Sequence, residues 1–452
     1  MVKLNNKMRW TVSAIFAILI LFGTYHNIFS IIAFLGVCLL LFFCERETIL
    51  LQLFFIMPMA NIFKMSPSSQ SFFTIILLLY VVMCFVLPRK ATLLIVLFSI
   101  YIILGQLVSG SFMLFRTVKL ICNILFLSSI LNQNVTINHK SVFFSYIIGN
   151  ITASCFGLMD SNFFKIKDYV GEQGVEGIEF IDLTRFTGLH TDPNYYTVGM
   201  IISLCLLVVL YHRKEVKTSF SLLISVPIVY FLILTYSKSA ILMLAVPLFF
   251  VFYSLYKQKK FISILVVFGL AVFVLLMALS GKIEILNVVI SRFNASSDSV
   301  GDTDLNSLTT GRFGIWVSYV KYMFNHYLAF FVGEGISAPY LEGHATHNLY
   351  IEMWYHLGII GSSMLLWVLW TILKQCKLVV FNRKLINYSV LISSLLLYCF
   401  LSELFYYDPP FHIMLAFVVL NLPSISDNMP KEIFKTKKEG KYVVLQKDLS
   451  CN

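Results

Sequence analysis

The chain consists largely of apolar runs, each near the roughly 20 residues that an α-helix needs to cross a lipid bilayer. Lipid offers no hydrogen-bond partners, so helices that bond their own backbone are the default spanning structure. Only 13% of the 452 residues are charged, against about 25% in a typical soluble domain. The sequence therefore predicts an all-α, polytopic membrane helical bundle of about 12–14 transmembrane helices. The predicted spans are 8–23, 27–43, 48–63, 71–87, 91–108, 111–131, 141–158, 194–211, 218–236, 239–256, 261–280, 347–372, 384–404 and 409–424.

Lys and Arg residues concentrate in the short loops on one side of these spans, which sets the orientation. The loop at Arg213, Lys214 and Lys217 and the tail 425–452 are examples. By the positive-inside rule, the N- and C-termini of this multi-pass chain lie in the cytoplasm. The net charge of +11 then indicates membrane lipids, not nucleic acid, as the partner of the basic residues. Residues 1–424 are predicted to form one transmembrane domain, followed by the basic tail.

Two long external loops, 159–193 and 281–346, interrupt the spans and hold 13 of the 23 acidic residues. Long loops in a compact domain are usually functional. The second loop contains a predicted helix from Arg312 to about Phe331. One face of this helix is apolar, so it is expected to lie flat on the membrane. That face carries Trp316, Val320, Phe324 and Tyr327.

Arg116 and Lys119 lie three residues apart within the sixth predicted span, on one helix face. Charged residues inside a membrane are rare and by default functional. A cationic site for a lipid-linked phosphate is one interpretation. The other is snorkelling by Arg116 together with a structural ion pair to Glu352 or Glu403. The residues themselves leave both interpretations open.

The segment 185–194 closes the first external loop and begins the eighth span. Asp192 and Pro193 are a typical helix start, with Asp at the N-cap and Pro at the first helical position. A helix N-terminus favours an anion, and Arg185 adds a planar fork for phosphate oxygens. Asn194 follows on the first turn. The alternative is an ordinary capped helix with an interfacial arginine.

Three further polar groups interrupt the apolar pattern. Lys238 lies in the hairpin Tyr236-Ser-Lys-Ser-Ala240, where a lysine reaching water is the simpler interpretation. Arg312 is a second candidate phosphate ligand, or an interfacial anchor beside Trp316. His347 is a candidate general base at the membrane surface, since histidine exchanges protons near neutral pH.

The segment from His344 to Glu352 has two other interpretations besides the general base. A metal site at His344 and His347 is disfavoured because further ligands are lacking. The plain alternative is an interfacial histidine pair with no chemistry.

The polar groups share one location in this topology, the outer half of the membrane or its external surface. The cytoplasmic halves of the spans are almost free of charge. A carrier needs a polar path across the membrane or a midplane site, so the distribution favours an enzyme with a cavity open to the outer leaflet. The group comprises Arg116, Lys119, Arg185, Lys238, Arg312, His347, Glu352, Glu403 and His412.

In order along residues 185–361, these motifs resemble the O-antigen ligase and Wzy-type polysaccharide polymerase superfamily. The resemblance implies a GT-C-like fold in the bacterial cytoplasmic membrane. It implies an enzyme, a metal-independent inverting glycosyltransferase without cofactor. The motifs are Arg185, Gly188, Asp192-Pro193-Asn194, Ser237-Lys-Ser-Ala240, Arg312 with Trp316, Gly333-x-Gly335, His347-Asn348, Gly358 and Gly361.

The resemblance also implies roles for these residues. His347 would activate an acceptor hydroxyl, while Arg185 and Arg312 would hold the diphosphate of an undecaprenyl-diphosphate-linked oligosaccharide and steady its charge. The family often has Arg where this chain has Lys238, which lacks the bidentate fork. The residues expected to bind substrate are Arg116, Lys119, Lys238, Asp192, Asn194, Asn348 and Glu352.

The favoured activity is polymerisation of repeat units into a surface, capsular or O-antigen polysaccharide. The alternatives are ligase-type transfer of a finished glycan and, less favoured, a flippase for lipid-linked oligosaccharides. A chain-length regulator and a flippase are the expected partner proteins.

Overall fold

The computed structural model describes residues 4–83, 89–109, 114–132, 138–170, 185–257, 259, 312–336, 338–375, 394 and 397. Within these ranges the chain is helical and contains no β-strand; an isolated bridge joins Lys64 and Ser71. The all-α prediction is therefore confirmed for the described residues. The helices are α1 Asn6–Gly23, α2 Asn27–Phe43, α3 Arg46–Ile56, α4 Phe72–Met83, α5 Arg89–Ser109, α6 Leu114–Asn132, α7 His139–Gly157, α8 Ile166–Val170, α9 Pro193–His212, α10 Thr218–Leu234, α11 Lys238–Lys257, α12 Arg312–Asn325, α13 Tyr327–Val332 and α14 Leu349–Gln375.

Most predicted spans within the described ranges coincide with one helix to within a few residues. The span 48–63 differs, because α3 ends at Ile56 and a 3₁₀ turn, Met57–Met59, follows it. The spans 261–280 and 409–424 lie outside the described residues, and 384–404 is described only at Ser394 and Leu397.

Several helices are apolar enough to lie in a membrane. Among the described residues, three are also long enough to cross it: Asn6–Gly23, Pro193–His212 and Ser239–Lys257. The total of 12–14 spans stays a prediction. Shorter apolar helices are Asn27–Phe43, Phe72–Met83, Leu93–Leu107, Thr117–Phe126 and Thr218–Leu234.

Helix α9 forms the centre of the bundle, and nearly all of its side chains are buried. It packs against α7, α10 and α11, and α7 in turn packs closely on α3. The α3–α7 contact depends on Gly149, where an added Cβ would lie 2.4 Å from the carbonyl oxygen of Phe55. Ser145 donates to the Leu51 carbonyl in the same interface, at 2.6 Å. Backbone contact at small residues is how membrane helices gain van der Waals packing.

A buried ion pair joins α1 and α3 at the end where α1 begins. A guanidinium nitrogen of Arg9 lies 3.3 Å from Glu47 Oε2, and both side chains are almost fully buried. Gln52 extends the network by donating to the Arg9 carbonyl at 2.9 Å. Each charge is tolerated in this buried position because the other compensates it.

The predicted surface helix from Arg312 to Phe331 is wrong as a single element. Helix α12 ends at Asn325, and the chain turns at His326 (φ −121°, ψ 85°) before α13. The turn brings the ring of Phe330 to 5.3 Å from that of Trp354 on α14, measured between centroids. Phe324 and Tyr327 remain exposed. Sequence periodicity could not reveal this turn, because it serves a contact with a distant helix.

Replacing Gly149 with Ala is expected to separate α3 from α7, since the Phe55 backbone cannot retreat without shifting a whole helix. Overpacking of this kind costs about 1–3 kcal/mol. The measurement is thermal unfolding in detergent micelles, with a lower Tm expected for Gly149→Ala. Gly105→Ala is the matched control, because an added Cβ there meets nothing within 4 Å. An equal Tm for both variants would contradict this packing.

Candidate functional site

The segment 185–194 packs against the end of α10 and the hairpin that follows it. The Phe186 amide donates to the Leu234 carbonyl at 3.1 Å, and Arg185 Nε donates to the Thr235 carbonyl at 3.2 Å. The ring of Phe186 stacks on that of Phe231, with centroids 5.4 Å apart. Arg185 is thereby fixed beside the 236–240 hairpin, from which it is distant in sequence.

Asp192 caps α9 as predicted: its Oδ1 accepts from the Asn194 amide at 2.6 Å, and Pro193 takes the first helical position. Gly188 precedes the cap with a φ of +56°, and an added Cβ would lie 2.5 Å from the Tyr196 ring. This conformation and this space permit only glycine. The glycine three residues after Arg185 is therefore a requirement of the turn that leads into α9.

Asn194 joins this segment to the 236–240 hairpin. Its Oδ1 accepts hydrogen bonds from Ser237 Oγ at 2.7 Å and from Ser239 Oγ at 2.8 Å. With the side-chain oxygen engaged, the amide nitrogen is the part of Asn194 that can donate to a ligand. Lys238 lies between the two serines; its side chain is outside the described structure.

His190 is a buried polar residue of this segment that the sequence did not single out. Its Nδ1 lies 3.4 Å from Asn61 Nδ2. An amide nitrogen can only donate, so Nδ1 is the acceptor in this contact. Asn61 follows the 3₁₀ turn after α3. Because that partner is 129 residues away, no local pattern could have predicted the contact.

Helix α12 holds the loop that carries His347. Trp316 Nε1 donates to the Thr346 carbonyl at 2.8 Å, and Tyr319 Oη donates to the His344 carbonyl at 2.7 Å. Tyr319 Oη also accepts from the Leu341 amide at 2.9 Å. Trp316 therefore faces this loop, contrary to the expected membrane-lying face, because its indole N–H needs an acceptor.

His347 precedes the N-terminus of α14 and is partly exposed. Its φ of +47° is uncommon for a residue with a side chain, and such strain concentrates at functional sites. Asn348 is the N-cap: its Oδ1 accepts from the Tyr350 amide at 3.0 Å and from the Ile351 amide at 3.2 Å. Asn348 is 3% exposed, so the geometry assigns it a capping role.

Glu352 is buried one turn further along α14. Its Oε1 lies 3.9 Å from His356 Nε2, and the two side chains are 3% and 4% exposed. His356 Nδ1 lies 2.8 Å from the Gly335 carbonyl, to which it can only donate. Glu352 thus contacts a histidine of its own helix, while its predicted pairing with Arg116 and Lys119 stays a prediction.

The remaining candidate cations occupy the ends of helices or the interior of α6. Lys119 is partly exposed on α6, and Arg312 is partly exposed at the first position of α12. The side chains of Arg116 and Lys238, and both Glu403 and His412, lie outside what the structure describes.

The first turns of α9 and α14 border one apolar cluster. Tyr195, next to Asn194, and Met353, next to Glu352, both pack against this cluster, which includes Leu120 of α6. Gly157, at the end of α7, lies against Gly188, where an added Cβ would approach the glycine carbonyl oxygen to 2.8 Å. The segments 185–194 and 236–240 therefore lie together, and the first turn of α14 borders the same apolar cluster as that of α9.

A family comparison covers much of this region. Residues 220–366 match the O-Antigen ligase family. The resemblance to the O-antigen ligase/Wzy superfamily is thereby confirmed. The match spans about a third of the chain and includes the hairpin, Arg312 and His347, while Arg185 precedes it. A comparison with curated proteins finds no relative that matches.

The family match and the apolar helices together indicate where the protein lies and which class of activity the family has. Apolar helices and this family indicate an integral membrane protein. The family implies glycosyltransferase-like activity on lipid-linked glycans.

Replacing Asn348 with Ala is expected to destabilise the start of α14 by about 0.5–2 kcal/mol, because two backbone amides lose their acceptor. Asn348→Asp retains an acceptor of the same shape and is expected to keep most of the stability. Hydrogen exchange of the Tyr350 and Ile351 amides reports the effect directly. Exchange that is equally slow in Asn348→Ala and in the parent protein would refute the cap.

Proposed function

We propose that the chain is a polymerase of undecaprenyl-diphosphate-linked oligosaccharide repeat units on the outer face of the bacterial cytoplasmic membrane. Its product would be a surface, capsular or O-antigen polysaccharide. The geometry that supports this proposal is that the capped first turns of α9 and α14 border one apolar cluster, with Arg185 leading into α9 and His347 preceding α14. The family match over residues 220–366 supports the substrate class.

An anionic headgroup suits this arrangement for electrostatic reasons. Each helix N-terminus carries roughly half a positive elementary charge and unsatisfied amide donors. Arg185, Arg312 and Lys119 are further candidates, each with a full charge of the same sign. In a site sheltered by lipid and protein these cations act more strongly than in water. We propose that Arg185 and Arg312 hold the diphosphate, with Lys119, Arg116, Lys238 and the Asn194 amide nitrogen as further contacts.

His347 would supply the base. The imidazole takes the proton of an acceptor sugar hydroxyl, and the oxygen attacks the anomeric carbon of the donor. A new carbon–oxygen bond forms on one face as the bond to the diphosphate breaks on the other, so the configuration inverts. Undecaprenyl diphosphate leaves with the bonding electrons. The arginines stabilise this growing negative charge, a role that metal ions perform elsewhere.

Three of the residues expected to bind substrate make structural contacts instead. Asp192 and Asn348 cap helices, and Glu352 lies buried beside His356. We propose that these residues act by placing the first turns of α9 and α14.

Replacing His347 or Arg185 with Ala is expected to stop chain growth while the protein still accumulates in the membrane. The first variant loses the base and the second loses a diphosphate ligand, and one oxyanion-type contact is worth about 10²–10³ in rate. Gel profiles of surface glycan in a deletion strain carrying each variant provide the measurement.

The matched controls lie away from the site. His326 is exposed between α12 and α13, and Arg213 lies beside Glu215 at the other end of α9. His326→Ala and Arg213→Ala are expected to leave long chains unchanged. Long chains of normal length in both His347→Ala and Arg185→Ala would disprove the proposed mechanism.

The lipid-linked pool distinguishes polymerase from ligase and flippase. Deletion of a polymerase leaves single repeat units on undecaprenyl diphosphate in the outer leaflet, since each unit has no growing chain to join. A ligase would leave long polymer on the carrier lipid, and a flippase would leave single units in the inner leaflet. Mass spectrometry of extracted lipids, with a leaflet-selective label, separates the three outcomes; we expect the first.

A further inference from the structure

Helix α14 is broken at Gly358, whose backbone (φ +62°, ψ −175°) departs from helical geometry. The break separates a short half, residues 349–357, from the apolar remainder of the helix. Backbone groups released inside a membrane protein must find partners within the protein, so a broken span is functional more often than accidental.

The partners of the released groups come from two other parts of the chain. The amides of Glu334 and Gly335 donate to the carbonyls of Tyr355 and His356, at 2.8 Å and 3.0 Å. The hydroxyl of Tyr101, on α5, lies 2.7 Å from the Leu357 carbonyl and 2.6 Å from the Val332 carbonyl. The single hydroxyl proton of Tyr101 is therefore shared between the carbonyl at the end of α13 and the last carbonyl of the half-helix, and it links the two.

The surroundings of the break leave no room for a side chain at three glycines. A Cβ on Gly333 would lie 2.5 Å from the Gly358 amide nitrogen, and a Cβ on Gly358 would lie 2.4 Å from the Phe331 carbonyl oxygen. A Cβ on Gly361 would lie 2.3 Å from the Tyr101 ring. The three glycines therefore let two backbones and one aromatic ring meet at the break.

We propose that Tyr101 is a positioning residue for glycosyl transfer: by fixing the break at Gly358, its hydroxyl sets the direction of the half-helix and so the place of His347. Tyr101 lies outside the segment that matches the family model, in the first half of the chain. This inference rests on the proposed function for its catalytic consequence, while its structural part stands on the contacts alone.

A small tilt of the half-helix at Gly358 would displace His347 far enough to affect the reaction rate. At 1.5 Å per residue, residues 349–357 span about 13 Å. A tilt of about 5° at the break would move the far end, next to His347, by about 1 Å. A misplacement of that size can cost about a hundredfold in rate. Trp316 and Tyr319 hold the His347 loop from the side of α12, so the expected loss is smaller than that maximum.

The experiment compares Tyr101→Phe with Tyr230→Phe in the purified full-length protein. The first change removes only the bridging hydroxyl and keeps the ring against Gly361. Tyr230 is exposed on α10 and serves as the matched control. Chain extension on a synthetic undecaprenyl-diphosphate repeat unit gives kcat and KM. Hydrogen exchange of residues 333–336 and 355–361 reports the break itself.

For Tyr101→Phe we expect about a tenfold fall in kcat, a KM for the donor within twofold of the parent value, and faster exchange at both segments. Tyr230→Phe is expected to match the parent protein. Unchanged exchange overturns the inference, and so does faster exchange with full kcat, which would leave the hydroxyl a purely structural role. If the parent protein extends no chain, the proposed function fails, whereas the exchange data still decide whether Tyr101 fixes the break.

Discussion

Every backbone polar group buried in an apolar bundle needs a hydrogen-bond partner, and in this protein that requirement is met in two different ways. Along most of the chain, long helices bond their own backbone. Around α14 the partners come from elsewhere: the loop after α13 and a tyrosine of α5 bond the carbonyls at the break. Glu352 and His356 belong to the short half of α14, and the predicted base His347 and the cap Asn348 directly precede it. Their placement therefore depends on contacts that the half-helix does not make by itself.

The N-termini of α9 and α14 each favour a bound anion. Each helix begins with an oxygen cap, from Asp192 in α9 and from Asn348 in α14. The caps satisfy one or two amides each and leave the dipoles in place. Side chains do not have to create a positive site alone, because the helix ends already favour an anion. Arg185 adds a charge whose position is fixed by its bond to the Thr235 carbonyl.

Local features were predictable from the sequence. The apolar runs predicted the helices, and Asp192-Pro193 predicted the start of α9, because capping depends on neighbours in the chain. The pairing of Glu352 with His356 could also have been predicted from the sequence, since residues four apart share a helix face. Long-range contacts were not predictable. The Tyr101 hydroxyl shares its proton between carbonyls 231 and 256 residues away. Arg9 pairs with Glu47, 38 residues away, and the turn at His326 allows a contact with Trp354.

We propose above all that the diphosphate of a lipid-linked glycan binds beside the first turns of α9 and α14. A donor analogue with a photoreactive group next to its diphosphate, cross-linked in membranes and mapped by mass spectrometry, tests this proposal most directly. We expect adducts within residues 185–195 and 344–352 that free undecaprenyl diphosphate competes away. Competable adducts confined to the opposite end, around residues 211–217, would contradict it.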